Sequence, residues 1–363
     1  MHGFRISAVW TAALFLTAFV PVSPSSAAPA KLLPPTCGEA IASSVTLSSD
    51  ITDCPGDGLE LAADGITLDC AGHTISGTET QASTGLTVNG RSDVKIRNCR
   101  VTLFETGFRV NNSQSVQILS NNATDNGGAG FYMSLVSYSK VVGNLARGDL
   151  GGDFFFTGCT DNTLANNTAI GHSFGFSVIL GSNGNLVEGN QVRGTLTGFV
   201  IAAANNTIVR NVASGNSYGF DVQGNNNNLS ANVASGNNVH GFWTGTSTSG
   251  NVLTFNNSTG NFGLGFYDQA VPGSNTFSND VCKSNSQGGS SPPGLCAAPV
   301  ATTTTTSTTA TATTTTSQTS ATTSAMGTDH IPEFPSGTLW GSLTAIAITI
   351  AFIAARRNRG QGN

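Results

Sequence analysis

The sequence predicts an all-β fold, a parallel β-helix wound from coils of about 22 residues, and three observations point to it. First, an apolar residue directly after a glycine recurs at Leu86, Phe108, Phe131, Phe176, Phe199, Phe220, Phe242 and Phe266. Phe154 fills the double gap after Phe131, with Asp153 in the glycine's place, and the spacings then run 22, 23, 23, 22, 23, 21, 22 and 24. Second, Asn98, Asn122, Asn144, Asn167, Asn190, Asn211, Asn232, Asn256 and Asn279 keep step with that series. Third, the stretches between them, such as Val94-Lys95-Ile96-Arg97 and Val116-Gln117-Ile118, alternate apolar and polar residues. That is the period of a strand, and turn-forming residues bound each one.

Each element has a physical reason. Three short strands and three turns close one rung, and stacked rungs lie about 4.8 Å apart, as strands in a sheet do. Such a repeat cannot bury its apolar face alone, so stability accrues by stacking neighbours. The phenylalanines are expected inside, ring upon ring. Glycine lets the chain bend sharply before each ring, and Asp153 is a tolerable replacement because aspartate visits the left-handed region more readily than most residues. Asparagine at the turns is expected to hydrogen-bond its own backbone and that of the next coil.

Composition sets outer limits. With 44 Gly among 363 residues, long helices are excluded, since each interior glycine costs about 0.5–1 kcal/mol relative to alanine. A net charge of −5 offers no basic face, which argues against nucleic acid as a partner.

The two ends give an address. Residues 1–30 read as a signal peptide, with Arg5 before an apolar run and small residues at Ala27, Ala28 and Ala30; an uncleaved N-terminal anchor is the alternative. Residues 31–64 form an N-terminal cap, 65–285 the β-helix and 286–300 a C-terminal cap and linker. Residues 301–330 are rich in Thr and Ser and read as an extended stalk. Residues 331–363 hold Pro332, Glu333 and Phe334, an apolar transmembrane segment at 339–355, and then Arg356, Arg357 and Arg359. Positive charge marks the cytoplasmic side, so the rest is expected outside the cell, at its surface, membrane-anchored at the C-terminus.

That ending resembles the PEF-CTERM sorting signals of archaeal surface proteins. The resemblance implies cleavage by an archaeosortase and attachment to a lipid; a permanent single-pass anchor is the other reading. Residues 65–77, Gly-Ile-Thr-Leu-Asp-Cys-Ala-Gly-His-Thr-Ile-Ser-Gly, and the coils after them resemble the NosD-like β-helix family. This second resemblance implies a right-handed parallel β-helix of pectin-lyase-like type and little about chemistry. With three Met and scattered His, copper is not supported.

Seven Cys in an exported chain suggest disulfides at the ends of the stack. Cys37 with Cys54, Cys70 with Cys99 and Cys282 with Cys296 are the candidate pairs, leaving Cys159 as a buried, inert thiol. Among the Asn-x-Ser/Thr sequons, Asn111 and Asn205 are the better glycosylation candidates.

A catalytic site is thinly signalled. Residues 85–282 carry ten Asp and Glu, whereas polysaccharide lyases, epimerases and glycoside hydrolases need convergent carboxylates. Asp125, Arg147, Asp149, His172 and Arg193 all fall 16 to 18 residues after their coil's phenylalanine, which predicts one outer stripe bordered by Asp153. Asp149, Asp153, His172 and Arg147 are the catalytic candidates, and Asp125 and Arg193 accompany them as ligand contacts. Directly after the phenylalanines stand Arg109, Tyr132, Phe155, Trp243 and Tyr267, a candidate sugar-stacking strip to which Tyr132, Trp243 and Tyr267 bring the ligand-binding rings. No metal site stands out and no cofactor is implied, Ca²⁺ entering only with the enzymatic alternative. Three functions stay open: a surface protein that binds envelope glycans, a polysaccharide-acting enzyme, or a structural coat protein.

Overall fold

The computed structural model describes residues 35–79 and 82–297. The expected signal peptide, stalk and PEF-type signal with its transmembrane segment lie outside the described residues. Within them the chain is all strand and turn, and no helix there is long and apolar enough to cross a membrane.

The chain winds about eleven coils, each contributing to three parallel sheets, of which the first and third are joined into one of 21 strands through the long strands Thr168–Ile179 and Gln191–Ala202. The coil Tyr218–Val222, Asn228–Ser230, Val233–Ser235 shows the pattern. Its first strand pairs with Phe242–Thr244, its second with Val252–Thr254 and its third with Asn257–Thr259, all one coil on. Every paired strand is parallel and the second sheet has eleven strands, from Val45–Thr46 to Thr276–Ser278.

The phenylalanine series forms a stack inside the first sheet. From Phe108 to Phe266 successive rings lie face to face at centroid separations of 4.5 to 5.2 Å. That spacing is the strand separation imposed by the backbone, so register, rather than any preference of the rings, sets their geometry. All are buried, as are Val, Ile and Leu from the other two sheets.

Asparagines satisfy the corners, in three ladders rather than one. At the corner before the third sheet the ladder runs from Asn121 through Asn144, Asn167, Asn190, Asn211, Asn232 and Asn256 to Asp280. Asn190 shows the unit. Its Oδ1 accepts from the backbone N–H and Nδ2 of Asn167, and its Nδ2 donates to the Leu164 carbonyl and to Asn211 Oδ1. Asn162, Asn185, Asn206, Asn227, Asn251 and Asn275 repeat this at the corner before the second sheet. Asn216, Asn237, Asn261 and Asn285 do so before the first sheet.

The expected asparagine series is therefore corrected at three places. Cys99, Asn121 and Asp280 are the buried ladder members, and Asn98, Asn122 and Asn279 are their neighbours in sequence. Asn98 and Asn279 instead take positive φ (56° in each), the bend that turns the chain into the corner.

Both ends of the stack are clamped. Disulfides join Cys37 to Cys54, Cys70 to Cys99 and Cys282 to Cys296. At the C-terminal end Ala297 donates to the Asp280 carbonyl and accepts from Cys282 N–H, folding the chain back over the last rung. Cys159 is free and buried, and burial pushes its thiol up to about 11. A thiol held protonated in the core is a poor nucleophile.

Candidate functional site

The expected catalytic stripe does not assemble on one face. Asp125, Arg147, His172 and Arg193 are exposed, but Asp149 and Asp153 are wholly buried. Arg147 and Arg193 share a column and are separated by Ile170, while His172 pairs with Thr195. The reason lies at the corner before the first sheet. Asp149 occupies an asparagine-ladder position and accepts from the N–H and Nδ2 of Asn126. One coil on, the corner is replaced by a continuous strand, Thr168–Ile179, in which His172 turns outward at φ 68°. No ladder residue follows Asp149, so an acid that only accepts ends the chain of donors there, as Asp280 does in the other ladder.

Asp153 stands in a column otherwise held by glycine, with Gly130 and Gly175 on either side. A Cβ at Gly130 would meet the Asp149 carboxylate, and one at Gly175 would meet Val192, so Asp153 projects into the interior. Burial, then the neighbouring charge of Asp149, pushes Asp153 up to about 9; burial pushes Asp149 up to about 7.

The outer face of the first sheet holds the aromatic residues in one column: Arg109, Tyr132, Phe155, Ser177, Val200, Asp221, Trp243 and Tyr267. The strip is broken in two, because Ser177 and Val200 are small and covered. The N-terminal part is a short stack. Tyr132 and Phe155 lie 5.5 Å apart and the Arg109 guanidinium sits 5.4 Å over the Tyr132 ring.

The C-terminal part is a fuller constellation over three successive coils. Tyr218, Asp221 and Gln223 come from the first coil, His240, Trp243 and Gly245 from the second, and Leu264, Tyr267 and Gln269 from the third. Trp243 lies 5.4 Å from Tyr218, and His240 lies 4.9 Å from Tyr267 and 6.1 Å from Tyr218. Polar groups lock the rings. Trp243 Nε1 donates to Gln269 Oε1 at 3.1 Å, and Gln269 Nε2 donates to the Tyr267 hydroxyl at 2.9 Å. His240 Nδ1 accepts from Leu264 N–H at 3.0 Å. The rings stay half-exposed.

Asp221 lies beneath this surface, 3% exposed, taking a 2.5 Å hydrogen bond from Gln223 Nε2. Burial, opposed by that amide, pushes it up to about 6. Gly245 makes the arrangement possible, since a Cβ there would collide with the Gln223 amide. Sequence reasoning found Trp243 and Tyr267 and missed Tyr218, Asp221, Gln223, His240 and Gln269. The signal was present: each lies two residues before the stacked phenylalanine, or one or three residues after it.

A shallow hollow of about 330 Å³ opens elsewhere, at the corner lined by Asp64, Arg91, Ser92, Ser113, Gln114 and Ser137. It holds no aromatic ring and no convergent acid pair. Of the glycosylation candidates, Asn205 is exposed in a turn and Asn111 is half-buried at a strand end.

Fold and surface together define a pectin-lyase-like β-helix with an aromatic outer patch. Residues 43–192 match the family described as "Right handed beta helix region", and residues 178–316 match "Periplasmic copper-binding protein (NosD)". Each match covers less than half of the chain, and with the solenoid they support a right-handed parallel β-helix fold. No curated protein matches the chain in sequence. Among solved structures, the Azotobacter vinelandii mannuronan C-5 epimerase AlgE4 A-module is similar at 16% identity and TM-score 0.53, over 72% of this chain and 88% of that one. A DFA-IIIase from Arthrobacter chlorophenolicus A6 is similar at 13% identity and TM-score 0.52, over 65% and 70%. The catalytic domain of a GH87 α-1,3-glucanase gives 17% identity and TM-score 0.45; the match covers 70% of this chain and only 60% of that domain.

The copper of the family description does not fit the donors among the described residues. Among the described residues no three His, Cys, Asp or Glu side chains group to hold a metal. Six cysteines are in disulfides, and Met133 and Cys159 are buried in the core. A soft Cu(I) site would need accessible thiolate or thioether.

Proposed function

We propose that this protein binds polysaccharide at the cell surface through the patch around Trp243. The observation that carries the reading is the locking of Trp243 and Tyr267 by Gln269, with Tyr218 alongside, over three successive coils. Half-exposed rings held by hydrogen bonds offer flat apolar faces and polar edges together, the mix that suits a sugar's C–H face and hydroxyls. Ordering them beforehand lowers the entropy cost of binding. Known structures of this fold include a mannuronan C-5 epimerase module, which acts on a polysaccharide.

Surface display is supported by the sequence of the termini, with a stalk, an apolar segment and terminal arginines. Three disulfides fit an oxidising compartment. The test is affinity electrophoresis of the full chain through gels containing soluble polysaccharides. Retardation by at least one of them, reduced about tenfold or more in affinity by Trp243→Ala, is expected for loss of an aromatic anchor. A wild-type chain that none of the gels retards would sink the reading. Product analysis of the same mixtures separates binding from turnover.

A further inference from the structure

The charge around the patch says which kind of polysaccharide it takes. Between residues 211 and 297 the sequence has a single Lys or Arg, Lys283. That lysine ends the strand Val281–Lys283 of the third sheet, which is a different face from the strands carrying Trp243 and Tyr267. The four coils around the patch therefore present no cation on its side of the solenoid. What they present instead is acidic or neutral: Asp221 beneath Trp243, two glutamines, two phenols, an indole and an imidazole.

The imidazole supplies no charge either. His240 Nδ1 accepts a backbone N–H, so that nitrogen carries no proton, and burial holds the group below its ordinary range. Recognition of carboxylate or sulfate sugars relies on Arg or Lys, singly or as a bidentate fork. An anionic chain laid here would meet a carboxylate with nothing to balance it, and like charges brought together in a partly desolvated site are repelled. The contrast lies on the same protein. The Tyr132–Phe155 stack has Arg109 over it, and the Trp243 patch has no such partner.

We propose that the Trp243 patch selects uncharged polysaccharide and rejects polyuronates. The chain would lie along the solenoid axis, because Trp243 and Tyr267 face each other on successive coils at the strand spacing of about 4.8 Å, and the Tyr218 ring of the coil before lies 5.4 Å from Trp243. This rests on the reading of the patch as a glycan site, and the experiment separates the two.

Full-length protein is run in affinity gels containing dextran, galactomannan or xyloglucan, and in parallel gels containing polygalacturonate or alginate, at low and at high salt. Retardation by at least one neutral polymer is expected, unchanged by salt, lost about tenfold in Trp243→Ala and kept in Trp243→Phe, which retains a ring and reports on folding. Polyuronates are expected to give no retardation that depends on Trp243. Retardation by polygalacturonate or alginate that Trp243→Ala abolishes would overturn the proposal while leaving a glycan site in place. No retardation by any polymer would overturn both.

Discussion

Asp149 and Asp153 lie buried together inside the solenoid, and the charge of Asp149 acts directly on Asp153. Asp149 Oδ2 and both carboxylate oxygens of Asp153 have no hydrogen-bond partner. Both folded pKa values are raised from 3.8, to about 7 and about 9. A raised acid pKa means that the folded state holds protons the unfolded chain releases. The stabilising contribution is therefore complete below about pH 4 and is lost as pH rises through about 7 and 9. Each such proton lowers stability by about 1.4 kcal/mol per pH unit within its window. Chemical denaturation midpoints measured from pH 5 to pH 9 are expected to fall with pH.

Replacing Asp153 by the residue its column otherwise uses should remove most of that slope. Asp153→Gly leaves no buried carboxylate beside Asp149 and restores the form seen at Gly130 and Gly175. It is expected to be more stable than wild type at pH 8 and to differ little at pH 5. A variant less stable at both values would show that the Asp153 carboxyl makes a net favourable contact in the core.

The ring stack should be sensitive at its centre. Phe176 lies between Phe154 and Phe199 at 4.5 and 5.2 Å and is fully buried. Phe176→Ala is expected to cost about 3–5 kcal/mol, read from urea midpoints.

The asparagine ladder predicts a loss that volume alone does not. The Asn190 side chain takes part in four hydrogen bonds linking three coils. Asn190→Ala leaves buried donors and acceptors without partners, each costing about 1–3 kcal/mol. Asn190→Asp keeps the acceptor but sets a carboxylate against Asn211 Oδ1, so no rescue is expected at pH 7. Hydrogen exchange at Asn167 N–H should report the lost acceptor in Asn190→Ala and stay protected in Asn190→Asp.

Gly245 gives a test of the patch that leaves the aromatic rings intact. Gly245→Ala is expected to displace the Gln223 amide from Asp221 and to weaken glycan retention by about tenfold or less, with thermal stability nearly kept. A full loss of fold would place Gly245 in the solenoid's framework instead.

The sequence alone determined the coil. Period, strand alternation and the glycine–phenylalanine pairs are local and repeat many times, so the inward rings and the three terminal disulfides were legible in the residues themselves. A ladder was legible too, but not its phase at Asn98, Asn122 and Asn279, because a run such as Asn121-Asn122 or Asn279-Asp280 does not say which residue turns inward. Tertiary structure decided the rest. Asp149 shares the stripe's spacing and Asp153 borders it, and both still point inside, since facing depends on the corner geometry and on whether the next coil supplies a ladder acceptor. The aromatic patch likewise exists only when three coils are stacked. Tyr218 and Gln269 lie 51 positions apart in the sequence, and the stacking of three coils brings both against Trp243.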